Sequence, residues 1–136
     1  MPDQIRQVDH FSASIPHKAG EGARVLGALR DAGINLIAFW GYPSGAGRAQ
    51  LEFIPKNGAA FAAAAKRVKL RVKKSSAFYI SGGDRPGAIA GILARLAAAR
   101  INVGALQAVS AGSGHYGAVL FLSAGATRKA ARVLGL

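Results

Sequence analysis

The chain of 136 residues contains no cysteine, few acidic residues and no long apolar run. The absence of cysteine excludes disulfide bonds, thiolate metal ligands and thiol chemistry. Apolar stretches such as residues 88–94 span only seven positions, whereas a helix needs about 20 to cross a bilayer. The N-terminus also lacks the apolar core of a secretion signal. Together these absences predict a soluble intracellular protein with a cytoplasmic location.

Acidic residues are scarce, with six Asp and Glu against 18 Lys and Arg, which gives a net charge of +12. Such a charge is typical of proteins that bind nucleic acid, anionic surfaces or acidic small molecules, and equally of a solvated basic surface. Six of the nine residues 66–74 are basic, and from Lys69 to Lys73 they alternate with Leu70 and Val72. This alternation predicts a strand whose cations protect an edge from pairing. The basic run therefore has a structural explanation, and nucleic acid is not expected as a partner.

Patterns that carry catalysis or metal binding are also missing. The three histidines, His10, His17 and His115, show no metal-ligand spacing. No serine lies in a G-x-S-x-G turn, and six acids leave little for paired-carboxylate chemistry. Residues 112–117 match G-x-G-x-x-G but join two predicted strands, whereas a dinucleotide site opens a helix. We therefore predict no enzyme activity, no cofactor and no metal site.

The sequence repeats itself after 67 residues. Aligning residues 11–50 with 78–117 without a gap gives 12 identities in 40 positions. The matches include an Ile-Asn pair at residues 34–35 and 101–102. Two copies are too few for a solenoid. The repeat therefore indicates a duplicated small domain, with a first module at residues 1–74 and a second at 75–136.

Both copies predict the same order of elements. A short alternating strand (residues 8–15 and 76–82) precedes a helix with one apolar face, a hairpin and a second helix (residues 57–68 in the first copy). The first copy ends in a fourth strand at residues 70–74, whereas the second copy stops at Leu136 without one. The N-terminal segment or a neighbouring chain would complete that sheet. The order β-α-β-β-α-β predicts an α+β fold of two ferredoxin-like modules packed side by side, with helices on one face of antiparallel sheets.

A loop before the first helix of each copy is the candidate for ligand binding. Residues 84–87 (Asp-Arg-Pro-Gly) lead into the predicted helix, with Pro86 in its first turn. The free N–H groups and dipole of a helix N-terminus favour a carboxylate or phosphate there. The simpler alternative is that Pro86 and Gly87 only form the turn while Asp84 caps the helix. Asn35 and Asn102 begin the second predicted strand of each copy, where each either fixes loop backbone or binds a ligand.

The second copy resembles the ACT domain, the amino-acid-sensing module named from aspartate kinase, chorismate mutase and prephenate dehydrogenase. Residues 84–93 and 101–103 match the family's loose motif of Asp-x-Pro-Gly, an apolar helix and Ile-Asn-Ile/Val. The first copy departs from it, with His17 where Asp is usual and Ala19 where Pro is usual. With the repeat, the resemblance covers nearly the whole chain, and freestanding tandem ACT proteins of this length exist.

The resemblance implies a ligand site rather than a catalytic one. ACT modules pair in tandem or across a dimer, and amino acids bind near the first loop and the start of the second strand. Loop N–H groups would bind the carboxylate of the ligand, and an acidic side chain would bind its ammonium group. The Asn amide could bind either group. Carried onto this sequence, the implied ligand-binding residues are Asp84, Arg85, Pro86, Gly87, Ala88 and Asn102, and in the first copy His17, Lys18, Gly20, Glu21 and Asn35.

These observations predict a non-catalytic regulatory sensor of an amino acid or a related carboxylate. Ligand binding would act allosterically on a homodimer or on a separate partner enzyme or regulator. Two alternatives share the same fold: a basic nucleic-acid-binding module and a purely structural dimerisation module. Saturable stabilisation by one class of ligand favours the sensor, whereas binding that weakens steeply with salt favours the nucleic-acid module.

Overall fold

A computed structural model describes residues 3–136, apart from the side chain of residue 124. Its contacts divide the chain into two units. The first unit is Asp9–Ser75, and the second is Ser76–Leu136 together with residues 3–8. The N-terminal residues therefore group with the second unit, whereas the predicted boundary placed them in the first module. Two long strands, β1 (Gln4–Pro16) and β4 (Lys73–Gly83), contribute to both units.

The first unit is an antiparallel sheet with two helices. After β1 come α1 (Glu21–Asp31), β2 (Leu36–Gly45), β3 (Arg48–Pro55) and α2 (Gly58–Arg67). The strand order is β2-β3-β1, followed by the first residues of β4. Pro16 and Gly45 both lie opposite Arg48, so the end of β1 meets the β2–β3 turn. This register brings the loop after β1 to that turn.

An aromatic cluster forms the core of the first unit. Alternate residues of β1 and β3, including Phe11 and Phe53, point to the helices, as period-two strands predict. Helix α2 contributes Phe61 with its small buried alanines, and α1 contributes Val25 and Leu29. The ring of Phe61 lies 4.6 Å from that of Phe11 and 5.1 Å from that of Phe53, centroid to centroid. Helical and strand periodicity therefore converge on one apolar layer.

The second unit repeats this plan with an aliphatic core. It contains α3 (Ala90–Ala98), β5 (Val103–Ser110), β6 (His115–Leu122), a 3₁₀ turn (Ala124–Ala126) and α4 (Thr127–Val133). Its strand order is β4-β6-β5, with β1 on the other side of β4. Residues 4–8 of β1 provide the fourth strand that the second copy lacks, and Ile5 packs on the core. The N-terminal segment, one of the two predicted candidates, therefore completes this sheet. The α+β class and the βαββαβ modules are confirmed.

Several predicted boundaries are wrong. The strand expected at residues 70–74 begins only at Lys73 and runs without a break into the strand expected at 76–82, so the two form one strand, β4. The turn expected at residues 43–47 is shorter, since β2 extends to Gly45. Helix α3 begins at Ala90, so Pro86 lies in a preceding turn rather than in the first helical turn.

All four α-helices end in the same way, with a left-handed residue at Gly33, Lys69, Arg100 or Gly135. Each helix closes with a backbone bond of the Schellman type, such as Ile34 N–H to the Leu29 oxygen at 3.0 Å and Ile101 N–H to the Leu96 oxygen at 2.9 Å. Glycine adopts this conformation without the steric cost that a Cβ atom brings. Lys69 and Arg100 therefore hold a strained backbone, with φ of 60° each.

Replacing Arg100 by glycine should stabilise the protein by about 0.5–1 kcal/mol. The gain comes from relieving the left-handed backbone, less the small favourable effect of a cation at a helix C-terminus. Urea unfolding measures it. The matched control is Gly33→Ala, which places a Cβ on the equivalent position of α1 and should destabilise by a similar amount. A destabilised Arg100→Gly variant would contradict this account of the helix end.

Candidate functional site

The loop of the second unit, residues 84–89, is a compact turn between β4 and α3. Asp84 N–H donates to the Gly114 oxygen at 2.8 Å, which ties the loop to the β5–β6 turn. Ala88 N–H donates to the Arg85 oxygen and Ala90 N–H to the Gly87 oxygen, at 3.2 and 3.0 Å. Gly87 adopts φ of 74°, which favours glycine. Two amides of the loop, those of Ala88 and Ala90, are therefore paired within the turn itself.

The alternative role of Asp84, as the cap of the helix, is wrong. Helix α3 begins at Ala90, six residues beyond Asp84, and has no side-chain cap. The Asp84 carboxylate instead accepts a hydrogen bond from the Ser110 hydroxyl at 3.0 Å, at the end of β5. Asp84 therefore joins the loop to the sheet.

A depression of about 330 Å³ lies beside this loop in the second unit. The loop forms one wall, and the end of β5 with Tyr116 forms the other. We call it the Tyr116 depression; its lining residues are Asp84, Arg85, Gly87, Ala88, Ile89, Ala90, Ala108, Val109, Ser110 and Tyr116. A larger cleft of about 460 Å³ also borders on Asp84 and Arg85 and is lined further by Gln4, Ser81, Gly82, Gly83 and His115. Four predicted ligand residues, Asp84, Arg85, Gly87 and Ala88, therefore meet at one place.

Arg85 is held by the N-terminal part of the chain. Its two terminal nitrogens donate to the two Asp3 carboxylate oxygens at 3.2 and 3.1 Å, and one also donates to the Gly83 oxygen at 2.9 Å. The Asp3 side chain is 11% exposed and that of Arg85 is 48% exposed. Gly82 leaves room for the Asp3 carboxylate, which a Cβ atom at residue 82 would strike. The hydrogen bonds from Arg85 hold the pKa of Asp3 below its ordinary value, although partial burial opposes them.

Tyr116 places a buried hydroxyl beside the same pair. The residue is 7% exposed. Burial, then the negative charge of the Asp3 carboxylate and a weak hydrogen bond to it, raise the pKa of the Tyr116 phenol. The same hydrogen bond helps to lower the pKa of Asp3. Sequence reasoning missed both Asp3 and Tyr116, because they are 82 and 31 residues away from Arg85 along the chain.

Acid should remove the contribution of the Asp3–Arg85 pair to stability. The pKa of Asp3 in the folded protein lies below its ordinary value of 3.8. The unfolded chain therefore binds this proton first, and the stabilisation present at higher pH is lost as the pH falls through the folded-state pKa. Urea unfolding of the parent and of Asp3→Asn should differ at pH 6 and converge near pH 2. A difference that does not change with pH would contradict the assignment.

The first-unit loop, residues 17–20, has a different arrangement. His17 N–H donates to the Gly47 oxygen at 2.9 Å, and Gly20 adopts φ of 90° immediately before α1. Glu21 pairs with Arg24 at 2.9 Å, and this hydrogen bond lowers the pKa of Glu21. A depression of about 240 Å³ adjoins His17 and Lys18 and is lined further by Ile15, Pro16, Gly22, Gly41, Tyr42, Pro43, Ala49 and Leu51. In this unit the helix begins directly after the loop, as the sequence predicted for both.

The two asparagines lie away from the loop of their own unit. Asn35 precedes β2, and its backbone oxygen accepts from Lys56 N–H at 2.9 Å, at the far end of β3. Ten residues of extended chain separate it from Gly45, which corresponds to about 30 Å. Asn102 precedes β5, whereas the Tyr116 depression lies at the other end of that strand. Within one unit, the structure therefore does not bring Asn35 or Asn102 to the predicted loop.

A buried polar network lies in the first unit, on the sheet face away from the helices. The His10 ring nitrogens lie 2.7 Å from a Glu52 oxygen and 2.6 Å from the Ser75 hydroxyl. Tyr42 donates to the other Glu52 oxygen at 2.8 Å, and this bond raises the pKa of Tyr42. Trp40 stacks on the His10 ring at 6.1 Å. The network explains how His10 and Glu52 are both buried.

Metal and membrane sites were also sought. Residues 3–136 contain no group of three His, Asp or Glu side chains placed to hold a metal ion. In the same part of the chain, no helix is long and apolar enough to cross a membrane.

Comparisons of sequence alone find no match among family models or among curated proteins. Comparison with solved structures finds similar folds. Protein BT0572 from Bacteroides thetaiotaomicron superposes with a TM-score of 0.83 and 22% identity, over 96% of this chain and 88% of that one. The ligand-free regulatory subunit of aspartate kinase from Thermus thermophilus superposes with a TM-score of 0.64 and 17% identity, over 98% of this chain and 95% of that one. The chain has the fold of these regulatory subunits. The regulatory subunit of aspartate kinase from Thermus flavus superposes with a TM-score of 0.58 and 17% identity, over the same fractions of the two chains. The ACT-like fold that the sequence resemblance implied is thereby confirmed.

Proposed function

We propose that this chain is a non-catalytic regulatory protein whose Tyr116 depression binds an amino acid or a related small carboxylate. The observation that carries the proposal is the half-exposed Arg85 guanidinium, which lines the depression on the same loop as the Asp84 carboxylate. The ring of Tyr116, a residue that is 7% exposed, closes the depression beside them. A small molecule that carries both a carboxylate and an ammonium group would match this pair of charges.

Arg85 supplies the charge that a carboxylate needs. A guanidinium has five N–H donors. The three hydrogen bonds to Asp3 and Gly83 leave donors of Arg85 for a ligand, and half of its side chain is exposed. Asp84 lies on the same loop and carries the opposite charge, which suits an ammonium group. The loop amides of Ala88 and Ala90 are used within the turn, so the proposal assigns the carboxylate to Arg85 rather than to them.

The regulatory part of the proposal is supported by the fold. Solved structures with this fold include regulatory subunits of aspartate kinase. A ligand shifts a conformational or association equilibrium only if it binds one state more tightly. We therefore propose that the ligand biases a homodimer or a separate partner enzyme, as an allosteric effector in the cytoplasm. The predicted ligand roles of His17, Lys18, Gly20, Glu21, Pro86, Asn35 and Asn102 remain predictions.

The test is thermal melting against the twenty amino acids and their keto acids at 1 mM each. A ligand at 100 times its Kd stabilises by about 2.7 kcal/mol, which is a readable shift. Arg85→Gln should reduce this shift strongly, because it removes the charge that holds the ligand carboxylate. Asp3→Asn is the matched control: it breaks the same Asp3–Arg85 ion pair but leaves the guanidinium at the depression. It should lower the ligand-free melting temperature while keeping most of the ligand-induced shift.

Two outcomes would contradict the proposal. A panel in which no compound shifts the melting temperature would leave the structural dimerisation module as the better account. A shift that Arg85→Gln leaves intact would show that the ligand binds elsewhere, and the first-unit depression near His17 would be the next place to test.

A further inference from the structure

The basic segment, residues 66–74, forms a continuous exposed positive surface in the first unit. Its six cations are all exposed, while the intervening Val68, Leu70 and Val72 are partly buried. Leu70 and Val72 pack against the core of the first unit. The apolar side chains therefore anchor the segment and direct its cations to solvent.

The structure removes the explanation that the sequence offered for this segment. Strand β4 begins only at Lys73, so Lys69 and Arg71 lie in the connection before it and protect no strand edge. Lys66 and Arg67 complement the C-terminal dipole of α2, which accounts for two cations. Lys69 occupies a left-handed position, φ 60°, where glycine would be less strained. Secondary structure therefore does not account for the cations at residues 69 and 71, whereas Lys73 begins β4 at the edge of the first unit's sheet.

Acidic residues of the first unit do not neutralise the segment. Among residues 9–75 the sequence has 11 Lys and Arg and four Asp and Glu, a difference of +7. Glu21 pairs with Arg24, Asp31 with Arg30, and Glu52 with His10, all away from the segment. The remaining acid, Asp9, is 3.9 Å from Lys74. Within the described residues, the other five cations of the segment have no ion pair.

We propose that the basic segment binds the phosphate backbone of nucleic acid without reading its sequence. Arg71 and Lys73 are both exposed, with the partly buried Val72 between them, so the two cations face solvent near each other and can contact neighbouring phosphates. Lys and Arg contacts to phosphate supply most non-specific affinity for nucleic acid. A membrane surface fits less well, since a membrane-bound segment inserts large apolar side chains and those of this segment are half-buried against the core.

The test measures anisotropy of a labelled 20-base-pair DNA duplex with the full chain, from 50 to 200 mM salt. The test variant is Lys69→Gly/Arg71→Gln/Lys73→Gln, with glycine at residue 69 because φ there suits it. The matched control, Arg128→Gln/Lys129→Gln/Arg132→Gln, removes the same charge from three exposed positions of α4. We expect the test variant to lose at least tenfold in affinity at 50 mM salt and to flatten the salt slope by about 2–3. The control should lose less than threefold.

Equal losses in the two variants would overturn the proposal, because net charge alone would then explain binding. Absence of binding by the parent chain at 50 mM salt would overturn it as well. So would binding to vesicles of anionic lipid together with no binding to the duplex. Melting temperatures of both variants that are no lower than that of the parent show that lost binding reflects lost charge rather than unfolding.

Discussion

Replacing Glu52 by alanine is expected to lower the free energy of unfolding by about 3–5 kcal/mol. The Glu52 carboxylate is 6% exposed and accepts two hydrogen bonds, from His10 at 2.7 Å and from Tyr42 at 2.8 Å. An ionised carboxylate only accepts, so the His10 nitrogen facing it carries the proton. Each hydrogen bond to a charged group contributes about 1.5–3 kcal/mol. Removing the carboxylate takes this acceptor away from both partners at once.

Two control variants separate the buried network from charge in general. Glu21→Ala removes the same side chain from a helical surface pair with Arg24, and should cost far less, because water screens such a pair. Glu52→Gln keeps an amide oxygen that accepts one of the two bonds, so its loss should lie between those of the alanine variants. Urea unfolding at neutral pH measures all three. If Glu52→Ala loses no more than Glu21→Ala, the network does not stabilise the first unit as described.

Replacing Phe61 by alanine should cost about 3–5 kcal/mol as well. The side chain is fully buried, and its ring packs against those of Phe11 and Phe53 at 4.6 and 5.1 Å. The neighbouring residues of α2 that share this core, Ala64 and Ala65, are small and cannot fill the cavity. The loss is comparable to the whole stability of a marginal domain, about 5–15 kcal/mol.

The matched control for the aromatic core is Phe39→Ala. Phe39 also contacts Phe53, at 5.3 Å, but is 37% exposed. Water already reaches part of its surface, so truncation should cost less than half as much as at Phe61. Phe61→Leu, which keeps most of the apolar volume, should likewise lose less than half. Equal losses from Phe61→Ala and Phe39→Ala would show that burial in this core does not set the cost.

Much of the fold followed from patterns local in sequence. Alternation in β1 and β3, and the spacing of Ile92 and Leu96 in α3, report directly which side of each element is buried. The repeat added that both halves share one plan. Equivalent positions are indeed buried in both cores, such as Phe11 and Phe78.

Local patterns were less informative where two elements meet. Two predicted strands joined into β4 because continuous pairing with β1 outweighs the polar residues between them. Helix α3 began later than Pro86 indicated because residues 85–89 form their own hydrogen-bonded turn. Both differences depend on contacts that cannot be recognised from the local sequence.

The candidate site shows the same division. The β4–α3 loop was found from its motif, since Asp-x-Pro-Gly is contiguous. Asp3 and Tyr116 were not found, because only the pairing of β1 and β6 with β4 brings them to Arg85. Asn102 was expected beside the loop, but the length of β5 separates the two within the unit.

The sequence by itself determined the class of fold, the duplication and the loop most suited to a ligand, because each rests on residues close together in the chain. Only the tertiary structure decided which strand completes the second sheet, which acid holds Arg85 and which tyrosine lies beside that pair. It also showed that most of the basic segment precedes β4. These features depend on strand pairing and register, which bring together residues that are far apart in sequence. The local sequence around each residue does not show which residue it will pair with.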